Sequence, residues 1–81
     1  MRALACERGP MGIRVNAGAP ALTLTDATAQ LPEQHRQAAA EHTPLHRNGQ
    51  AEDVAEAVVG LLQARFVTGA TLPVNGGSHV F

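Results

Sequence analysis

Four histidines, at 35, 42, 46 and 79, are the side chains best suited to bind a metal or move a proton near neutral pH. Their spacing does not assemble a site. His42 and His46 lie four apart, an interval that puts two ligands on one helical face, but Pro44 between them interrupts any such face. No cysteine pair or carboxylate–histidine cluster joins them, so they read as loop or surface residues and no metal is expected. The single cysteine, Cys6, has no His or Lys nearby to stabilise a thiolate and reads as an inert helix residue. Glu52, Asp53 and Glu56 form an acidic cluster, but paired-carboxylate catalysis needs another acid across a cleft. A helix start explains the three charges more simply. The chain has no Tyr and no Lys, and its one serine is Ser78. None of its eight glycines gives the GxGxxG or GxxxGxG spacing that lets backbone cradle a pyrophosphate. No catalytic residue is expected.

The elements that must position these residues alternate between helix and strand. Residues 2–8 (RALACER) read as helical turns with Leu4, Ala5 and Met1 on the apolar side, stopped by Gly9-Pro10. Residues 13–19 alternate Ile13, Val15 and Ala17 with Arg14, Asn16 and Gly18, a strand period that Pro20 ends. Residues 20–31, rich in Thr and Ala without a period, read as a mobile loop. Pro32 suits the first position of a helix running to about Glu41, with Glu33 in its first turn. Thr43-Pro44 breaks that helix, and residues 45–49 form a polar connector. The clearest helix is 51–64, where Val54, Val58, Leu61 and Leu62 make one apolar stripe. Residues 71–75 read as a short strand, demoted to an edge by Pro73 and ending at Gly76-Gly77. This order points to α/β layering on a parallel sheet.

Composition bounds what such a chain is able to do. Of its 81 residues, 44% are apolar, yet 15 are Ala, and the larger aliphatics and Phe number only 18. A compact protein of this mass exposes about 4,600 Å², and an Ala-rich, aromatic-poor core implies marginal stability without partner surface. A net charge of −1 with six dispersed arginines offers no face for nucleic acid and no arm for anionic lipid. No stretch approaches the length of a membrane span, and no charged-then-apolar leader is evident. One cysteine fits a reducing compartment, so a cytoplasmic location is the expectation.

Three segments together resemble one family. Residues 7–16 (ERGPMGIRVN), then Ala19-Pro20 and Thr25-Asp26, are similar to the sixth-strand region of short-chain dehydrogenases/reductases, close to GIRVNxxxPGxxxT. Thr43-Pro44-Leu45 with Arg47, Gln50 and residues 52–55 (EDVA) resembles the family's TPLgRxGxPeDVA approach to its late helix. Residues 65–77 (RFVTGATLPVNGG) resemble its last strand and carboxyl-terminal turn, xxvTGxxlxVDGG. The order and spacing fit over nearly the whole chain. Departures are Ala21 for the Gly of the Pro-Gly pair, Gly18 for an aliphatic, Asn75 for Asp and Ala51 for Pro.

The resemblance implies the carboxyl-terminal part of a Rossmann-like doubly wound parallel sheet. About two strands and two to three helices are expected, with residues 1–81 a fragment of one domain and incomplete as a domain. It implies an NAD(P)-dependent alcohol/carbonyl oxidoreductase, with NAD or NADP as cofactor. The family's Gly-rich cofactor turn and Ser-Tyr-Lys set have no counterpart here, so the chain is expected to be inactive alone. Pro20, Thr23 and Thr25 match the loop that touches the nicotinamide carboxamide and phosphates, Thr23 through its N–H and Thr25 through its hydroxyl. Segment 22–42 matches the variable substrate loop. The alternative is a non-catalytic module that self-associates or pairs with a full-length relative, since the family's last strand and late helix usually form subunit contacts.

Overall fold

The computed structural model describes residues 1–78. In chain order the elements are α1 (Arg2–Arg8), β1 (Ala17–Pro20), β2 (Thr23–Leu24), α2 (Glu33–Glu41), β3 (Gly49–Gln50), α3 (Ala51–Gln63) and β4 (Thr71–Val74). β1 pairs in parallel with β4, Ala17 opposite Thr71 through Pro20 opposite Val74. A second parallel pair joins β2 to β3. The α/β reading and the parallel main pair hold, with the β2–β3 pair in addition.

Several boundaries differ from expectation for identifiable reasons. α1 ends at Arg8 as expected, but without a left-handed stop at Gly9. Gly9 keeps right-handed angles (φ −50°), the chain continues as a 3-10 turn over Gly9–Met11, and Gly12 is the left-handed residue at φ 75°. Pro10 is tolerated because the first residues of such a turn have no partner for an N–H. The strand expected over 13–19 begins at Ala17, because the preceding residues bond to a turn instead of a ladder. The Val15 N–H donates to Thr68 Oγ1 (3.0 Å), and its carbonyl accepts from the Gly69 N–H (2.8 Å). Asn16 donates through Nδ2 to the Val67 carbonyl and accepts the Ala70 N–H at Oδ1, both at 3.0 Å. Arg14 reaches the exposed end of α3, donating to the Leu61 and Leu62 carbonyls at 2.9 Å each. Both carbonyls lie in the last turn of α3, where Leu61 otherwise accepts only the long cap bond from the Ala64 N–H (3.3 Å), and a guanidinium there also opposes the negative end of the helix dipole.

The ladder fixes which way each residue of β1 faces. Ala17 donates to the Ala70 carbonyl (2.9 Å) and Ala21 to the Val74 carbonyl (3.2 Å), so odd-numbered residues bond β4 and even-numbered ones face away. The same alternation points position 73 away from β1. Pro73 therefore removes a donor only from the outer edge of β4, the edge role expected of it. Pro20 extends β1 for the same reason, its nitrogen facing outward.

Residues 20–31 are not a featureless loop. Thr23–Leu24 form β2, and the polar connector ends by pairing Gly49 with it, the Gly49 N–H donating to the Leu22 carbonyl at 3.0 Å. Pro32 caps α2 from outside at ψ 142° instead of serving as its first residue. In α3 the half-buried apolar positions are Val54, Ala57 and Leu61. Val58 and Leu62, assigned to the inner stripe, are 46% and 67% exposed, because a narrow sheet covers only one side of the helix. Among the described residues only Ala5 and Thr43 are buried. The surface totals 6020 Å², well above the expectation for a compact protein of this mass. No helix among the described residues is long and apolar enough to cross a membrane.

Candidate functional site

Ligands of parallel α/β sheets gather at the carboxyl ends of the strands. Here that end carries Pro20, then β2, then a turn through Thr25. The Thr23 hydroxyl donates to the Ala21 carbonyl (3.1 Å) and so folds back on its own loop. Thr28 clamps the turn. Its hydroxyl donates to the Thr23 carbonyl (2.8 Å) and accepts the Thr25 N–H (2.8 Å). Because Leu22 turns its carbonyl to β3, the N–H of Thr23 points the other way, outside that ladder. Thr25 is exposed. The loop thus presents a backbone donor at Thr23 and a solvent-facing Thr25, neutral groups suited to an amide or a phosphate oxygen. Ala21 lies outside the left-handed region, so the backbone at this position does not require the glycine of the family motif.

Pro20 also borders a cleft of about 920 Å³ whose other walls include Leu22, Thr43, Val54 and Asn75. Thr23 and Thr25 do not line it, so the three residues are neighbours along one loop but face different spaces. The far wall is built around Thr43. Its buried hydroxyl donates to the Ala40 carbonyl (2.9 Å) and accepts the Arg47 N–H (3.2 Å), closing the turn between α2 and β3. Asn48 ties that turn to α2 through a bond to the Arg36 carbonyl (2.9 Å). His46 holds φ 55° there, a left-handed angle at the place where the family motif carries glycine.

Gly76 and Gly77, at φ 61° and 91°, lie against Thr43 and Pro44. Asn75 uses both ends of its amide, accepting the Gly77 N–H (3.0 Å) and donating to the Ser78 carbonyl (2.9 Å). An aspartate would make only the first of these bonds while ionised. The Ser78 hydroxyl is buried without a partner among the described residues.

Arg47 and Asp53 form a bidentate pair at 2.8 and 3.1 Å, and Asp53 also accepts the Gln50 N–H at 2.7 Å where α3 starts. The hydrogen bonds from Arg47 first, and from the Gln50 backbone second, pull the Asp53 pKa down to about 2. The acidic cluster is therefore a helix start, and its central carboxylate is committed to structure. His42 ends α2 at the margin of the cleft, and His79 lies outside the described residues. Among the described residues no three His, Cys, Asp or Glu side chains converge as a metal site would require.

Residues 1–79 match the family model described as enoyl-(acyl carrier protein) reductase. The chain belongs to the short-chain dehydrogenase/reductase family. Among relatives of this oxidoreductase family, the 3-oxoacyl-(acyl-carrier-protein) reductase FabG of Pseudomonas aeruginosa is 52% identical over 82 residues, covering 98% of this chain and 33% of that protein. The Homo sapiens 3-oxoacyl-(acyl-carrier-protein) reductase is 45% identical over 76 residues, covering 94% and 31% respectively. In structure, the 3-oxoacyl-(acyl-carrier protein) reductase of Brucella melitensis superposes with a TM-score of 0.91 at 36% identity, over 99% of this chain and 31% of that one. A small-chain dehydrogenase in complex with NADPH gives 0.83 at 35% identity, over 94% and 36%. The chain spans about a third of the length of the relatives it matches.

Membership in the short-chain dehydrogenase/reductase family gives the three motifs a structural meaning. In the first, Arg14 and Asn16 lock β1 to α3 and the turn before β4. In the second, Thr43, Arg47 and Asp53 build the approach to α3. In the third, the paired glycines let β4 end against Thr43 and Pro44. Thr28 and Asn48, which the sequence reading passed over, hold the loops in place. A Thr three residues after Thr25 is the signal that identifies the first, since such hydroxyls cap turns.

Proposed function

We propose that the chain is the carboxyl-terminal third of one NAD(P)-dependent short-chain reductase domain, acting on 3-oxoacyl thioesters as its relatives' names describe. The observation that carries this reading is the loop leaving β1, with the Thr23 N–H outside the β2–β3 ladder, in a chain that superposes on a reductase with a TM-score of 0.91. The residues present fit the nicotinamide half of the cofactor, whereas no glycine spacing here suits its pyrophosphate turn. Bound NADH or NADPH would supply the hydride for carbonyl reduction. Pro20 would border the nicotinamide, while the Thr23 N–H and the Thr25 hydroxyl would hold carboxamide and phosphate oxygens. Thr28 would keep those two donors in place. With neither Tyr nor Lys in the chain, the proton donor of the family's chemistry has to come from elsewhere, so the chain alone is inactive. An exposed free thiol at Cys6 fits a cytoplasmic location.

The test is direct. The purified chain, mixed with NADPH or NADH and a 3-oxoacyl thioester, is expected to consume no cofactor. Reduction at a rate proportional to chain concentration would overturn the reading. The surface of 6020 Å² supports a second reading alongside it, a module that completes its fold against another polypeptide.

A further inference from the structure

We propose that Asn75 is a site of spontaneous covalent modification. The Gly76 nitrogen closes on the Asn75 side-chain amide, and the succinimide so formed opens to a carboxylate on the wall of the cleft. The same dipeptide at Asn48-Gly49 is held in a way that prevents the reaction. The site stands apart from the reductase reading and does not depend on it.

Of the three asparagines, at 16, 48 and 75, the last two precede glycine. A glycine carries no side chain to shield its own nitrogen, so the backbone there approaches a neighbouring carbonyl closely. The Gly76 nitrogen bonds to Asn75 Cγ and gives up its proton. The Cγ–Nδ2 bond breaks, and that nitrogen leaves with the proton as ammonia. One water then cleaves a ring C–N bond, its hydroxyl going to carbon and its proton to the Gly76 nitrogen. Cleavage at Cγ gives aspartate, and cleavage at the main-chain carbonyl gives isoaspartate. Nothing is oxidised or reduced, and water is the one co-reactant.

The two Asn-Gly pairs sit in opposite environments. The Gly49 N–H donates to the Leu22 carbonyl (3.0 Å) beside the β2–β3 ladder, and Asn48 Nδ2 donates to the Arg36 carbonyl (2.9 Å). Ring closure there would break both bonds. The Gly76 N–H has no acceptor among the described residues. Asn75 Oδ1 accepts the Gly77 N–H (3.0 Å), which bends the side chain back over the peptide that follows it. Negative charge gathers on that oxygen as the Gly76 nitrogen attacks, so a donor already in place lowers the barrier. Asn75, Gly76 and Gly77 line the cleft, where water reaches the ring.

The product changes the cleft. Aspartate adds a negative charge to the wall opposite Pro20 and, while ionised, gives up the bond to the Ser78 carbonyl. Isoaspartate lengthens the backbone just before Gly76, at the turn seated against Thr43.

The experiment incubates the full chain in mildly alkaline buffer with a stabilising osmolyte, and in parallel in guanidinium chloride. Peptide mass spectrometry follows the conversion of amide to acid at each asparagine. In the folded chain Asn75 should convert about tenfold or more faster than Asn48, and in denaturant the two rates should agree within about threefold. Gly76→Ala, compared in denaturant where folding plays no part, should slow Asn75 about tenfold against Asn48. Equal rates in the folded chain, a faster Asn48, no conversion at Asn75, or a preference that persists in denaturant would each overturn the proposal. A Gly76→Ala chain converting at the original rate would also overturn it, since the ring would then play no part.

Discussion

Replacing Gly77 by alanine tests how the last strand is anchored. The new β-carbon would lie 2.9 Å from Pro44 Cγ, closer than such atoms approach in folded proteins, and a tight 3.2 Å from its Cβ and Cδ. The proline ring has no rotamer with which to retreat, and φ at this position is 91°, outside the range that L-residues favour. Left-handed backbone costs an alanine about 1–2 kcal/mol, and overpacking adds about 1–3 kcal/mol. The stiffer unfolded chain returns about 0.4–1 kcal/mol. The net loss is about 2–4 kcal/mol, and at about 4–8 °C per kcal/mol for a chain of this size the melting temperature should fall by about 10 °C or more. Thermal unfolding followed by circular dichroism, in an osmolyte that strengthens burial, reads this shift. Gly18→Ala is the control, because its surroundings are open and its angles ordinary. A Gly77→Ala shift within about 3 °C of that control would refute the packing of the paired glycines on Thr43 and Pro44.

Two further substitutions probe the other motifs. Asn16→Ala leaves the Ala70 N–H without its side-chain partner and the Val67 carbonyl with only the long bond from Arg14 (3.4 Å), and should cost about 1–3 kcal/mol, seen as faster amide exchange at Ala70 and loss of melting temperature. An unchanged exchange rate at Ala70 would show that the bridge carries no weight. Asp53→Asn addresses acid stability. A carboxylate held at about 2 when folded, against about 3.9 when unfolded, stabilises fully above its unfolded pKa, and that contribution is lost as pH falls toward 2. The wild-type melting temperature should therefore drop more steeply than the variant's between about pH 4 and pH 2. Parallel slopes would rule out Asp53 as a source of that dependence.

Much of this was legible in local residue patterns. The heavily acidic start of α3 and the Gly76-Gly77 turn are short-range signals, and both stand in the structure, whereas only Val54 and Leu61 of the apolar stripe are half-buried. Pro73 was read as an edge residue because a missing donor has the same consequence in any ladder. The absence of Tyr and Lys excludes the family's own proton-transfer set without reference to any fold. Other features were beyond such reading. β2 and β3 are two residues each and exist only through pairing between positions 26 apart, so neither leaves a period. The alternation over 13–16 was real, but Val15 and Asn16 are satisfied by a turn more than fifty positions away.

By itself, then, the amino-acid sequence determined the α/β class and the family, since these depend on composition and spacing. Only the tertiary structure decided which edge of the sheet stays open, which side of α3 is covered, and which donors of the Thr23–Thr25 loop remain free. Those outcomes depend on hydrogen bonds and packing between distant segments, where each residue's role is set by its neighbours in space.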